Sequence, residues 1–465
     1  MGAIIHFGTD GWKARTDGDF NEESVVRIAD AAGAIWSREN PGAIVYVAYD
    51  TRPDADRYAR LAAMVLAGHG LAVKISDRYT PTPALSWAIA RDERCLGGLM
   101  VTGSHSPSDY LGIKLRVSDG GMGTSEFYEE LEQAISPDPT DVRGPIAQTD
   151  LITPYLDGLV SSVDGEAVSS AHLKLVYDPL YGSARGYMVD VLRVLGVEVA
   201  EIHGRPDAES DAIHPEPVEP WVDDCEQTVV ETGALAGLVN DGDGDRVGAV
   251  DEHGRFVGAQ KIIALLLEHL VRNRGASGRV VLNQAASATT RHVAESLSCR
   301  VAIKPVGYRH IYEEMLKGGA LLGGESTGGI GIPGHLMERD GLYVNLLLCE
   351  LMAKSGKTLG QLVDELEREH GKYYFIRRDL RLGNEVVEML RTMLPGINPP
   401  EVAGKVPVEV SHMDGIKVTF EDESWLLLRL SGSEQIVRVY AEAPSIEARD
   451  ELLEAGCSIA RGGLS

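Results

Sequence analysis

The spacing of apolar residues gives this chain its first visible order. An apolar run at residues 43–48 ends at Tyr49-Asp50. A helical spacing of apolar positions follows over 54–68, and after Gly70 a second run covers 71–75. The layout returns at 173–177, 184–195 and 197–202, and a third time at 279–282, 289–297 and 300–303. Short apolar runs read as buried strands, and the 3.6-residue spacing reads as an amphipathic helix. Strand, helix and strand within about thirty residues form a βαβ unit, so the pattern predicts three similar α/β domains. Each unit leads into one more short strand and then a loop of unusual composition. Loops beyond strand ends are where open α/β sheets bind ligands, so three equivalent loops can converge on one central cleft. The final stretch differs: 415–420, 425–430 and 436–441 read as strands with a turn at 421–424, and 445–460 as a helix. The expected fold class is therefore α/β, with three similar mixed-sheet domains and a smaller C-terminal α+β domain. Expected boundaries are 1–145, 146–254, 255–371 and 372–465.

Composition narrows the partners. The 465 residues carry 44 Lys+Arg against 70 Asp+Glu, a formal charge of −26. No nucleic-acid partner and no membrane partner are expected, because both polyanions are bound through basic patches. A small anion is still compatible, provided basic side chains gather locally. The five cysteines are widely spaced and form no C-x-x-C pair, which argues against a disulfide framework or a zinc site. The opening Met1-Gly-Ala-Ile-Ile-His6 has no basic region or long apolar core, so no signal peptide is expected. No apolar stretch is long enough for a transmembrane helix. The expected setting is cytoplasmic.

Four loops carry the candidate chemistry. In Asp241-Gly-Asp243-Gly-Asp245-Arg246, carboxylates at alternate positions can face one side while the glycines let the backbone bend around an ion. An all-oxygen set suits Mg²⁺. Asp241, Asp243, Asp245 and Glu252 also match the spacing of a calcium EF-hand, although Arg246 stands where that loop needs Gly and the flanks look like strands. A D-x-D-G phosphatase motif, with Asp241 as nucleophile, is another rival. In Thr102-Gly-Ser104-His105-Ser106-Pro107, Ser104 is held on a rigid turn. Phosphorylated, it would present a dianion able to bind Mg²⁺. A Ser/His hydrolase is the weaker reading, since no G-x-S-x-G elbow is present and neighbouring Ser104 and His105 are expected to diverge on extended backbone. Lys114, on the next strand, is a proton-transfer candidate. In Gly324-Glu325-Ser-Thr327-Gly-Gly329, carboxylate and hydroxyl groups can read sugar hydroxyls. In Arg429-Leu-Ser431-Gly432-Ser433-Glu with Arg438, hydroxyls, backbone N–H groups and guanidinium forks match phosphate geometry.

Taken in order, these loops resemble the α-D-phosphohexomutase family (phosphoglucomutase/phosphomannomutase). The likeness begins at Phe7-Gly-Thr-Asp-Gly11-Trp-Lys13 and continues through Asp50-Thr-Arg52, Thr80-Pro-Thr-Pro83, the serine loop and Gly112-Ile-Lys114. It then takes in the acidic loop, Pro305-Val-Gly-Tyr-Arg-His310, the glutamate loop and the arginine loop. The resemblance implies four domains around one deep cleft and a phosphoryl group carried on Ser104. It implies Mg²⁺ held by Asp241, Asp243, Asp245 and a phosphoserine oxygen. The substrates would be hexose 1- and 6-phosphates, with hexose 1,6-bisphosphate as intermediate and activator. Lys114 is the expected base, with Lys13 and His310 behind it and His105 beside the nucleophile. Arg429, Ser431, Gly432, Ser433 and Arg438 would hold phosphate. Glu325 and Thr327 would read hydroxyls, and Arg309 and Arg246 would assist the substrate. A monomer or small homo-oligomer is expected. Departures are Lys13 for the usual Arg, Gly103, Ser106 and Leu111 around the serine loop, Thr327 for Ser, Ser433 for Thr, and Gly329 where many members have His. The alternatives are a phosphoglucosamine mutase, a metal-dependent sugar-phosphate phosphohydrolase, and a non-enzymatic sugar-phosphate or ion binder.

Overall fold

A computed structural model describes residues 3–140, 142–206, 213–431 and 436–462. Its first three sheets share one plan, in which a central strand pairs in parallel on both sides. In the first, Ile44–Tyr49 lies between Ala72–Ser76 and Cys95–Val101. The sheet then continues antiparallel through Tyr110–Val117 to Trp12–Arg15. In the second, Lys174–Asp178 lies between Glu198–Glu201 and Ala236–Asn240, followed by Val247–Asp251 and Phe256–Val257. In the third, Arg279–Asn283 lies between Val301–Lys304 and Ala320–Gly324, followed by Ile330–Ile332 and Leu336–Arg339. The serine, acidic and glutamate loops are therefore topologically equivalent. Each joins the third strand of its βαβ unit to the antiparallel strand beside it. The fourth sheet is wholly antiparallel and packs under the helix Ile446–Ala460.

Local chemistry explains where helices begin. Asn21 and Ser24 form a reciprocal capping box at the start of Glu22–Glu39, and Thr358 and Gln361 do the same for Leu359–His370. Ser445 caps Ile446–Ala460 through the N–H of Ala448. Ala259–Glu268 and Gly341–Ser355 are apolar around most of their circumference, and such helices must be enclosed on all sides. They fill a single core that runs from Tyr177 and Leu238 of the second sheet to Leu282 and Leu322 of the third. The second and third domains thus share their hydrophobic interior, while the first and fourth have cores of their own.

The structure departs from the expected pattern at several places. Ala147–Thr149 pairs with Lys74–Ser76, so the first sheet runs past residue 145. Phe256–Val257 likewise belongs to the second sheet, beyond residue 254. The helix expected from 184 starts at Tyr187, because Ser183 N–H is drawn to Gly242 C=O at 2.9 Å and Gly186 takes a left-handed turn. Tyr374–Arg381 forms an eight-residue edge strand, although Arg377, Arg378, Asp379 and Arg381 obscure its alternation. Among the described residues, no helix is long and apolar enough to cross a membrane.

The shared core predicts coupled unfolding. Leu266 is fully buried within it. Leu266→Ala should lower stability by about 2–5 kcal/mol. In urea, hydrogen exchange should show the second and third sheets losing protection together; a variant that releases only one of them would contradict the shared core.

Candidate active site

Ser104 sits in left-handed backbone, at φ +48°. This conformation costs a non-glycine residue about 1–3 kcal/mol unless its surroundings impose it. Here they do. Asp50, at the end of the central strand, accepts from Thr102 Oγ1 at 2.6 Å and Gly103 N–H at 3.0 Å, and Thr102 Oγ1 accepts from Ser104 N–H at 2.8 Å. Arg52 donates to the carbonyls of Ser104 (2.9 Å) and Tyr110 (3.0 Å) and to those of Ser106 and Pro107. A Cβ on residue 103 would collide with that guanidinium, which explains the glycine there. The left-handed turn also corrects one expectation. Ser104 and His105 do not diverge, and Ser104 Oγ lies 3.3 Å from His105 Nδ1. Burial, with Arg246 and Lys13 nearby, holds the His105 pKa well below its ordinary value, so the ring is neutral.

The acidic loop faces this turn. Asp241, Asp243 and Asp245 are fully buried, and their ligand atoms lie within 4.8 Å of one another. Asp241 Oδ2 accepts from Ser104 Oγ at 3.3 Å, and Asp241 Oδ1 accepts from Arg246 N–H at 2.9 Å. Lys114 Nζ, 3.5 Å from Ser104 Oγ, donates to Asp243 and Asp245 at 2.7 Å each. Thr82, the first residue of the helix Thr82–Ala90, donates to Asp243. Asp243 Oδ1 and Asp245 Oδ1 are buried with no hydrogen-bond donor. Such orphaned oxygens, in an all-carboxylate set, fit a hard divalent cation. Burial and the neighbouring Asp243 and Asp245 push the Asp241 pKa well above the usual carboxylate range. The loop joins two antiparallel strands, and Glu252 turns away to accept from Thr358 and the N–H of Gly360, which removes the EF-hand reading.

The two lysines differ. Asp10, Asp243 and Asp245 outweigh burial at Lys114 and raise its pKa, so it is a fixed ammonium. Lys13 is half-buried and has no ion-pair partner among the described residues. Burial lowers its pKa to about 8. His310 does not join this cluster. Its ring lies 3.9 Å from Glu313, and burial lowers its pKa among Glu313, Asp414, Arg309 and Arg429.

Two further groups complete the site. Thr327 Oγ1 donates to Glu325 Oε1 at 2.7 Å, so the two expected sugar readers touch. Arg246 lies 3.6 Å from Glu216, and its backbone bridges to Gly329 of the glutamate loop. Arg309, Arg429, Ser431 and Arg438 border a cavity of about 330 Å³ together with Gly8 and Tyr128. Arg429 Nε donates to Asp414 at 2.8 Å, and Arg309 donates to Gly8 C=O. Gly432 and Ser433 lie outside the described residues. Asp10 and Arg52 stood within the quoted motifs without an assigned role. Arg339 stood outside every motif, and its one signal was the charged run Glu338-Arg339-Asp340. Arg339 donates to Asp10 and lies 2.9 Å from Asp245 Oδ2, tying three domains together.

Comparison with known families matches this arrangement domain by domain. The profiles of phosphoglucomutase/phosphomannomutase alpha/beta/alpha domains I, II and III match residues 5–140, 153–254 and 259–370. The chain belongs to the phosphoglucomutase/phosphomannomutase family. Members of this family are intramolecular phosphotransferases. The chain is 30% identical to a phosphoglucomutase/phosphomannomutase of Thermococcus kodakarensis, over 97% of this chain and 98% of the relative. It is 28% identical to a phosphoglucosamine mutase of Moorella thermoacetica, over 98% and 99%. A phosphomannomutase-type crystal structure from Thermus thermophilus superposes with a TM-score of 0.89 at 32% identity, covering 99% of this chain and 100% of that one.

A cation held by this triad would displace the proton that burial and the neighbouring carboxylates favour on Asp241, because a ligating carboxylate must be ionised. Affinity for Mg²⁺ should rise with pH through and above the ordinary carboxylate range. Calorimetry in buffers of different ionisation enthalpy should detect protons released on binding. Affinity that is flat with pH would contradict the assignment of Asp241 as a protonated ligand.

Proposed function

We propose that the chain interconverts hexose 1-phosphate and hexose 6-phosphate, with glucose or mannose as the sugar, through phosphorylated Ser104 and a hexose 1,6-bisphosphate. The observation that carries this reading is Ser104 Oγ, held on a strained turn 3.3 Å from a buried carboxylate triad with orphaned oxygens. A hydrolase acting through Asp241 has less support, because Asp241 is engaged by Ser104 Oγ and by the N–H of Arg246 while the serine hydroxyl is the group presented to the acid triad.

Asp241, Asp243, Asp245 and an oxygen of phosphorylated Ser104 would hold Mg²⁺. A cation there supplies positive charge to the oxygens of the transferring phosphoryl group. Lys114 adds a fixed ammonium beside Ser104. Lys13 accepts the proton of the attacking sugar hydroxyl, since its pKa of about 8 makes a neutral amine accessible. The bond between Ser104 Oγ and phosphorus breaks as the sugar oxygen bonds to phosphorus, and the hydroxyl proton passes to Lys13. Arg309, Arg429, Ser431 and Arg438 hold the other phosphate at the 330 Å³ cavity, and Gly432 and Ser433 are assigned there by the motif. Glu325 and Thr327 read the hydroxyls. After the bisphosphate turns over, the second phosphoryl group returns to Ser104. Added hexose 1,6-bisphosphate restores enzyme that has lost its phosphate. All five cysteines are unpaired, which suits a reducing cytoplasm.

Intact mass should show one phosphate on purified protein, mapped to Ser104, and Ser104→Ala should lose at least about 10³-fold in isomerisation by analogy with other activated nucleophiles. Robust turnover in Ser104→Ala, or steady release of inorganic phosphate, would defeat the mutase reading. A base must be unprotonated, so kcat/KM should rise as pH passes about 8. Lys13→Met should abolish that limb, while Lys114→Met should lower the rate and leave its pH dependence in place.

A further inference from the structure

Away from the cleft, a second set of metal-ligating side chains meets where two helices of the third domain end. Glu268 is the last residue of Ala259–Glu268, and Glu369 and His370 close Leu359–His370. One ligand atom from each lies within 4.8 Å of the others. The His370 side chain is only 9% exposed, yet its Nε2 is buried with no hydrogen-bond partner, and so is Glu268 Oε1. These two orphaned atoms face each other at 3.6 Å. A hydrogen bond would draw them to about 2.7–3.2 Å. Two ligands of one tetrahedral ion, each about 2.1 Å from it, stand about 3.4 Å apart. The gap suits a shared cation better than a shared proton. Arg272 lies 3.1 Å from Glu268 Oε1 without the alignment of a hydrogen bond, and it is half-exposed, so it is free to turn into water. Glu367 stays out of the set, paired with Lys261 and Lys372 at 2.6 and 2.8 Å. Glu369 is exposed, and its flexible stem can close on an ion from the solvent side. The negative dipole end of Leu359–His370 adds to the attraction for a cation.

We infer that Glu268, Glu369 and His370 form a second metal site, separate from the acid triad, which takes a divalent transition ion of the Zn²⁺ type with water completing its shell. One imidazole and two carboxylates suit such an ion, whereas the all-carboxylate triad suits Mg²⁺. The site uses no cysteine, and Glu268 stands about a hundred residues before its partners, so neither cysteine spacing nor a local motif reveals it. Its role is structural. The ion ties the ends of the two helices together just ahead of Gly371, where the chain passes into the edge strand Tyr374–Arg381 of the fourth domain. The backbone of His370 is anchored at the same junction, since its C=O accepts from His292 Nδ1 at 2.7 Å. The inference stands apart from the mutase reading.

The test uses the untagged full chain in saturating Mg²⁺, with zinc chloride as the probe. Anomalous diffraction at the zinc edge should place an ion about 2.0–2.1 Å from His370 Nε2. In calorimetric titrations, His370→Gln and Glu268→Gln should each bind one equivalent of Zn²⁺ fewer than wild type, or bind it at least about tenfold more weakly. The difference between proteins is the readout, because Zn²⁺ also competes for the triad. Zn²⁺ should raise the Tm of wild type, and that rise should shrink in both variants. The diffraction measurement needs only wild type, so it decides the matter even if a variant does not fold. Zinc density confined to the triad would overturn the inference, as would unchanged stoichiometry and affinity in both variants.

Discussion

The site depends on mutual neutralisation of charges that water does not reach. Asp241, Asp243, Asp245, Glu325 and Glu338 are buried, and none could remain ionised there alone. Lys114 and Arg339 make that burial tolerable, and they do so across domain boundaries. Lys114 comes from the first sheet and meets carboxylates of the second. Arg339 comes from the third sheet and meets the second and the first. Removing one member leaves others desolvated and unpaired, which is more costly than never forming the pair. The electrostatics of the cluster thus fix how the first three domains sit.

Hydrophobic packing supplies the frame on which those charges are placed. The repeated sheet plan delivers three loops at equivalent points, and the common core of the second and third domains holds the acidic and glutamate loops in a fixed relation. The first domain keeps a main core of its own but also packs apolar groups across its seams, Ala84 and Trp87 against the shared core and Met122 against Tyr308 and Tyr312, and polar contacts such as Lys114 and Thr82 with Asp243 then bring the serine loop to the acid triad. Strain at Ser104 belongs to the same design. A left-handed turn is maintained by Asp50 and Arg52, and it aims the hydroxyl at Asp241 and His105.

The overall charge of −26 and the proposed hexose-phosphate ligand are reconciled by segregation. Arg309, Arg429 and Arg438 gather at one cavity while acidic side chains dominate the composition. Fixed cations there favour a phosphate locally, and the wider negative field opposes approach of other polyanions.

Much of this was legible in the chain itself. The βαβ repeats, the strand-end loops, the acid triad and the arginine set follow from periodicity and short-range spacing, because a strand or a loop motif is encoded by consecutive residues. Local pattern accounts for the caps at Asn21 and Thr358 once the helices they start are known. It did not show the edge strand Tyr374–Arg381, whose stability comes from pairing with residues far along the chain. Nor could it show that two domains share a core, that the backbone at Ser104 turns left-handed, or that Lys114 is clamped while Lys13 is left with a weakened ammonium. Arg339 is the sharpest case. In sequence it is one charge in a charged run, and in the fold it fills the space above Gly329 and meets Asp10, Asp245 and Glu325. Residue type and spacing determined which chemical groups this protein has. Burial and long-range contact decided which of them are ionised, paired and aimed at one another, since both depend on neighbours that only folding brings together.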